Sequence, residues 1–352
     1  MLEVLKLVLC DVHFLGAFFQ TVITICLGYF FRRRGIVDDS GKKTVTAIVW
    51  KIAVPCIAFN AFMQDFNREN FTTSLVEILL AGIIYALLVF LGKLAFIKRV
   101  KDERILAALF VAVGQTTLFS LPILQSVYTG RDKEVMLYIS SISVVFRIMV
   151  YIVGFYIISG ERFHIKTFSA SAKKIFVTPI MIGMFLGIAV WLLQDFTAQV
   201  QTEQGMYSFL RVDKTLPVLY TTLSSFCHLL NPLSMFLIGM SIGEADFSSA
   251  VKDKNAWLIA VMRNFFAPVF VLIFCCVLHL TGIVCFNEYS LAALVIGFSA
   301  PISVTLSMMC VQFHRHELLA SRACFISTLL TIISMPFSFV IIHLALNSSI
   351  FK

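Results

Sequence analysis

Gly114, Gln115, Thr116, Thr117, Ser120 and Pro122 fall within "VGQTTLFSLPIL", residues 113–124, and Ser299, Pro301, Ile302, Ser303 and Thr305 within "FSAPISVTLSMM", residues 298–309. In both stretches amides and hydroxyls stand beside a helix-breaking residue in otherwise apolar chain. Such side chains donate and accept hydrogen bonds, and an interrupted helix leaves backbone groups that do the same. The chemistry on offer is recognition of a polar solute. Bond making would need a nucleophile with a base, or clustered metal ligands. None of the nine cysteines forms a CxxC pair, and His314 and His316 flank Arg315 in a basic loop, where solvation accounts for them. No acidic residue lies in either stretch, and neither an enzyme nor a cofactor nor a bound metal is expected.

Four cations stand among apolar neighbours: Lys51, Lys93, Arg147 and Arg263. Both lysines are close enough to a span end to extend toward water. Arg147, in "SISVVFRIMVYIVG", lies about halfway along its span, where an unpaired charge facing lipid costs roughly 2.5 kcal/mol or more. Two readings stay open for it: it recognises an anion, since a guanidinium can bind a carboxylate through two parallel hydrogen bonds, or it serves backbone carbonyls at a break. Arg263, five residues before Pro268 in "RNFFAP", reads as structural. Glu77 is the acidic residue buried among the spans, so a carboxylate proton relay or a strong sodium site lacks support, although neutral oxygens alone can hold Na⁺.

The elements that must position these residues follow from composition. With 352 residues, 59% hydrophobic and 14% charged, and a mean hydropathy of +0.91, the chain carries too much apolar surface for an ordinary soluble globule. Its long uncharged runs suit helices crossing a bilayer, and the alternating strands of a membrane barrel are absent. The pattern predicts an all-α integral membrane protein with ten transmembrane helices, at 10–31, 44–64, 73–97, 105–127, 135–158, 175–194, 217–242, 256–282, 289–313 and 322–346. Loops after odd-numbered spans hold 17 Lys and Arg, against 7 on the other side with the termini, which predicts cytoplasmic basic loops and both termini on the non-cytoplasmic side of the cell membrane. The net charge of +8 is thereby explained, and no nucleic-acid partner is expected. The start, "MLEVLKLVLCDVHFLG", lacks the basic residues and cleavage site of a signal peptide, so the first span is expected to be retained.

Internal symmetry comes next. Pro55 interrupts span 2 and Pro232 interrupts span 7; Gly114–Gln115, followed by Pro122, breaks span 4, and Pro301 breaks span 9. Five spans separate each pair, so a second copy enters from the opposite side: residues 1–158 and 175–346 form two inverted five-helix repeats. Broken helices in equivalent positions can cross near the midplane, where their ends present partial charges to a solute.

"GYFFRRRGIVDDSGKKTVTAIVWKIAVPCIAFNAF", "VGQTTLFSLPILQSVYTG", "TPIMIGMFLGI", "NPLSMFLIGMSIG", "MRNFFAPVF" and "SAPISVTLSMMCVQFHRHELLASRACFISTLLTIISMPF" follow one another along nearly the whole chain. In order and placement this set resembles the auxin efflux carrier family, which includes PIN-FORMED carriers and bacterial malonate-type carriers. The resemblance implies crossed broken helices 4 and 9. It also implies a scaffold of helices 1, 2, 6 and 7, often dimeric, past which a transport domain of helices 3–5 and 8–10 moves as an elevator. The family usually has Asn at the position of Gln115 and often Gly at that of Ser120; Gln keeps the amide but reaches one methylene further. The short link at 159–174 fits a bacterial-type carrier.

The expectation is a secondary transporter of a small organic anion such as a carboxylate, in contact with the lipid bilayer and paired as a homodimer through its scaffold. Gly114, Gln115, Thr116 and Thr117 on span 4, with Ser299, Pro301, Ile302, Ser303 and Thr305 on span 9, would form the crossover, Asn60 would face it from the scaffold, and Arg147 would offer charge. A monoanion leaving a negative-inside cell gains roughly 2.3 kcal/mol per 100 mV, enough for uniport. A solute sensor on a carrier fold and a Na⁺- or H⁺-coupled carrier of another solute remain as alternatives.

Overall fold

The computed structural model of the chain describes residues 12–128, 132–160, 177–202, 205–244, 250–348 and 350–351. Helix α1 spans Val12–Arg33. Asp38 then accepts a hydrogen bond from the Gly41 amide at 2.7 Å and so starts α2, Asp39–Ile48, earlier than the expected 44. The same bond favours the charged carboxylate and holds the Asp38 pKa below its ordinary value. A π turn, Val49–Ala53, continues α2 into α3, Val54–Asn60. Next come α4, Arg68–Ala95, and α5, Lys101–Ala112; a π turn at Thr116–Ser120 opens into α6, Leu121–Val127. Helix α7, Asp132–Ile148, passes through the π turn Met149–Gly154 into α8, Phe155–Ser159.

Beyond the link, most of which lies outside the described residues, stand α9, Pro179–Leu193, an antiparallel hairpin of β1, Gln199–Thr202, and β2, Gly205–Ser208, and the short α10, Val212–Thr215. Helices α11, Pro217–His228, and α12, Leu230–Glu244, are nearly continuous. Helix α13, Lys254–Val261, runs through the π turn Met262–Phe266 into α14, Ala267–Leu280. The chain ends with α15, Glu288–Ser299, α16, Val304–Gln312, and α17, Glu317–Leu346. Among the described residues six helical stretches are long and apolar enough to cross a membrane: Asp39–Asn60, Arg68–Ala95, Lys133–Ser159, Pro217–Glu244, Lys254–Leu280 and Glu317–Leu346.

The prolines act differently from the expected mid-helix breaks. Pro55, Pro122 and Pro268 are each the second residue of a helix that follows a π turn. A proline lacks the amide hydrogen and crowds the carbonyl four residues back; a widened preceding turn accommodates both faults without ending the span. Pro232 likewise sits in the first turn of α12, so the break in that span falls before it, at Leu229.

Glycines set how closely the helices pack. A Cβ on Gly239 of α12 would stand 2.9 Å from the Tyr29 amide of α1, and one on Gly183 of α9 would stand 2.5 Å from the Pro55 carbonyl oxygen of α3. Both pairs therefore meet backbone to backbone, as small residues allow between apolar helices. The hairpin is tied down at one end of the helices. Arg211, 2% exposed, donates to Asp213 at 2.8 and 2.9 Å, to Asp65 at 2.5 Å and to Gln194 at 3.2 Å. Burial alone would lower the Arg211 pKa, but the two carboxylates reverse this and raise it. Lys133, at the start of α7, reaches Asp213 at 3.7 Å and the Met63 carbonyl at 3.0 Å, which links α7 to the hairpin region and to the end of α3.

Candidate functional site

Helices α5 and α15 end facing one another. Pro301 cannot continue α15, and the residue before it, Ala300, takes an extended conformation with φ −59° and ψ 149°. Val113 is extended as well, with φ −107° and ψ 107°. The two extended segments then pair: Gly114 and Ile302 form an antiparallel bridge, the Gln115 amide donating to the Pro301 carbonyl at 2.7 Å and the Ser303 amide to the Val113 carbonyl at 3.2 Å. Gly114 is required by space, since a Cβ there would stand 2.6 Å from the Arg263 Cζ and 2.7 Å from the Ala300 oxygen.

A helix end leaves its last carbonyls without intrahelical partners, and inside a membrane protein each must find another. Thr116 Oγ1 donates to Gly297 O at 3.2 Å, Ser120 Oγ to Ile296 O at 2.7 Å, and Ser299 Oγ to Val295 O at 2.7 Å. The carbonyls nearest the crossing converge on Arg263: its Nε donates to Ala300 O at 2.8 Å, and its Nη1 to Ala112 O at 2.7 Å and to Val111 O at 3.1 Å. Arg263 is wholly buried and belongs to the π turn between α13 and α14. That widened turn presents the next residue, Asn264, to the interior too.

Asn264 Nδ2 donates to Thr331 Oγ1 at 2.6 Å, Ser327 O at 2.9 Å and Ser334 Oγ at 3.2 Å, while its Oδ1 accepts from Ser327 Oγ at 2.6 Å. Ser327 Oγ in turn accepts from the Ile302 amide at 3.0 Å, and Ser299 Oγ stands 2.9 Å from Ser338 Oγ. Tyr85 of α4 packs on Phe298 with ring centroids 4.6 Å apart. Sequence reasoning missed Asn264, Tyr85 and this hydroxyl row, yet Ser327, Thr331, Ser334 and Ser338 recur at spacings that place them on one face of α17.

The structure thus brings together Gly114, Gln115, Thr116, Ser299, Pro301, Ile302 and Ser303, with Arg263 among them. Thr305 lies half-buried in the first turn of α16, and the side chain of Thr117 falls outside the described residues. Asn60 ends α3 with a buried Oδ1 that has no hydrogen-bond partner. Gln115 Oε1, Ser303 Oγ and Arg263 Nη2 are buried without hydrogen-bond partners as well. Arg147, 2% exposed, opens instead on a narrow slot lined by Val54, Ile57 and Ala58 of α3, Ile180 and Met184 of α9, Leu121 of α6, and Ser140 and Ser143 of its own helix. That lining includes no residue of the bridge itself. The slot's free room is about 10 Å³, close to what a single water molecule needs. Among the described residues no group of three or more His, Cys, Asp or Glu could hold a metal.

No curated protein matches the chain. Residues 13–339 match the membrane transport protein family, a span that includes both interrupted helices, Arg147, Arg263 and the hydroxyl row of α17. Several long apolar helices, paired interruptions and a match over nearly the whole chain agree: the chain is a multi-pass membrane protein of the membrane transport protein family, the auxin efflux carrier family.

Proposed function

We propose that this protein is a secondary transporter of a small organic anion, a carboxylate in the first instance, and that it works by alternating access of the elevator type. The observation that carries this reading is the bridge between Gly114 and Ile302, bordered by buried polar atoms that no protein group satisfies. Burying an unpaired polar group is costly, and a solute able to hydrogen-bond there would relieve that cost. Gln115 and Ser303 would supply polar contacts, Asn60 would approach from the scaffold, and Arg147 would attract the carboxylate by its charge.

In this reading residues 1–158 and 175–346 are inverted repeats, α1, the α2–α3 stretch, α9 and the α11–α12 stretch belong to the scaffold, and the helices of spans 3–5 and 8–10 travel with the substrate. The close approaches of α1 to α12 and of α3 to α9 suit a rigid scaffold, in a homodimer with both termini outside the cell. The test is counterflow in proteoliposomes, with labelled mono- and dicarboxylates, indole acids and amino acids chosen by a thermal-shift panel. Exchange of a carboxylate supports the transporter; stabilisation by a carboxylate without any flux identifies a solute sensor on the same fold.

A further inference from the structure

At the crossing two helices end carbonyl-first. Each such end carries a partial negative charge of about half an electron, and in ion-coupled carriers the carbonyls of such ends hold the coupling cation. Here the place is taken. Val111 O, Ala112 O and Ala300 O, from two different helices, all accept from the single guanidinium of Arg263, at 3.1, 2.7 and 2.8 Å. Among the described residues no carboxylate forms a salt bridge with Arg263, and arginine stays protonated in proteins. Its charge is therefore balanced by backbone oxygens, as a bound ion's would be.

We propose that Arg263 is a tethered cation filling the place of a coupling ion, so that the crossing holds together, and the carrier cycles, without Na⁺ or another inorganic cation. The first half stands on the hydrogen bonds alone; the second rests on the transport reading. The π turn makes it possible, because it aims Arg263 at the carbonyls while Asn264, the next residue, faces α17. The fixed positive charge also favours an anion beside Gln115 and Ser303.

The test uses full-length purified protein and three variants, Arg263→Lys, Arg263→Met and Arg263→Ala. Arg263→Met keeps much of the volume and removes the charge, and is expected to lower the Tm by about 5 °C or more, with Arg263→Lys recovering part of that loss. Ethylguanidinium is expected to raise the Tm of Arg263→Ala, whereas choline at equal ionic strength is not and the wild type does not respond. A Met variant that fails to fold while the Lys variant folds supports the proposal equally. A Met variant as stable as wild type, or an Ala variant indifferent to ethylguanidinium with Lys no better than Met, overturns it. In proteoliposomes, wild-type counterflow of the carboxylate found in the panel should differ by less than about threefold between Na⁺ and choline media, and a larger requirement for Na⁺ overturns the second half. Absence of flux for every anion tried would overturn the transport reading and with it that second half, while the thermal results would still decide the charge assignment.

Discussion

Gln115 carries a buried carboxamide oxygen with no partner, a state that costs about 1–3 kcal/mol. If that cost is held for a solute, removing the group should spare the fold and damage the function. Gln115→Leu is therefore expected to leave the Tm unchanged or slightly raised while carboxylate counterflow falls at least about tenfold. Undiminished flux would remove Gln115 from the site. Arg147 faces a different test, because its guanidinium borders a slot rather than the bridge. A hydrogen bond to a charged group is worth about 1.5–3 kcal/mol, so Arg147→Ala should weaken carboxylate binding by about ten- to a hundredfold and leave the protein folded. Titration of the purified variant measures this, and an unaltered Kd would assign Arg147 to structure alone.

The elements hold these side chains through contacts that tolerate little change. Gly114→Ala would press a methyl group between the Arg263 guanidinium and the Ala300 carbonyl, an overpacking that costs about 1–3 kcal/mol and should appear as a lowered Tm. The hairpin offers a contrast in burial. Asp213 and Arg211 each have side chains only 3% exposed, whereas Asp65 is 81% exposed. Asp213→Ala is expected to destabilise by about 3–5 kcal/mol and Asp65→Ala by about 1 kcal/mol or less, so denaturation of the two variants side by side tests whether burial or mere proximity decides. How far these elements could be read in the sequence depended on range. Gly114, Pro301 and their hydroxyl neighbours announce interruptions because the breaking residues are local signals. The π turns were not read: a proline shows that a helix is disturbed there, but not that the preceding turn widens to keep it running. Arg263 was read as structural without its partners, since Val111 and Ala300 lie 152 and 37 residues away and no spacing rule joins a guanidinium to distant carbonyls. Asn264 and the hairpin's ion network escaped for the same reason.

At the scale of the whole molecule, the proposed motion carries α7 past α3 and α9. Ser143 of α7 and Ile180 of α9 line the same slot. A short cleavable thiol crosslinker joining Ser143→Cys to Ile180→Cys is expected to arrest counterflow, with recovery on cleavage; flux that continues in the crosslinked protein would exclude sliding at this seam. The bridge has a consequence for kinetics as well. Each interrupted segment gives one amide and one carbonyl to the other, Gln115 to Pro301 and Ser303 to Val113. The backbone exchange is reciprocal, but the groups around it are not: Arg263 takes two carbonyls from α5 and one from the end of α15, and Gln115 and Ser303 differ in reach. In the proposed transporter, rectification, the excess of one flux over its reverse under matched gradients, would draw on this asymmetry and on the rim where the hairpin, Arg211 and the Lys133–Asp213 contact lie together.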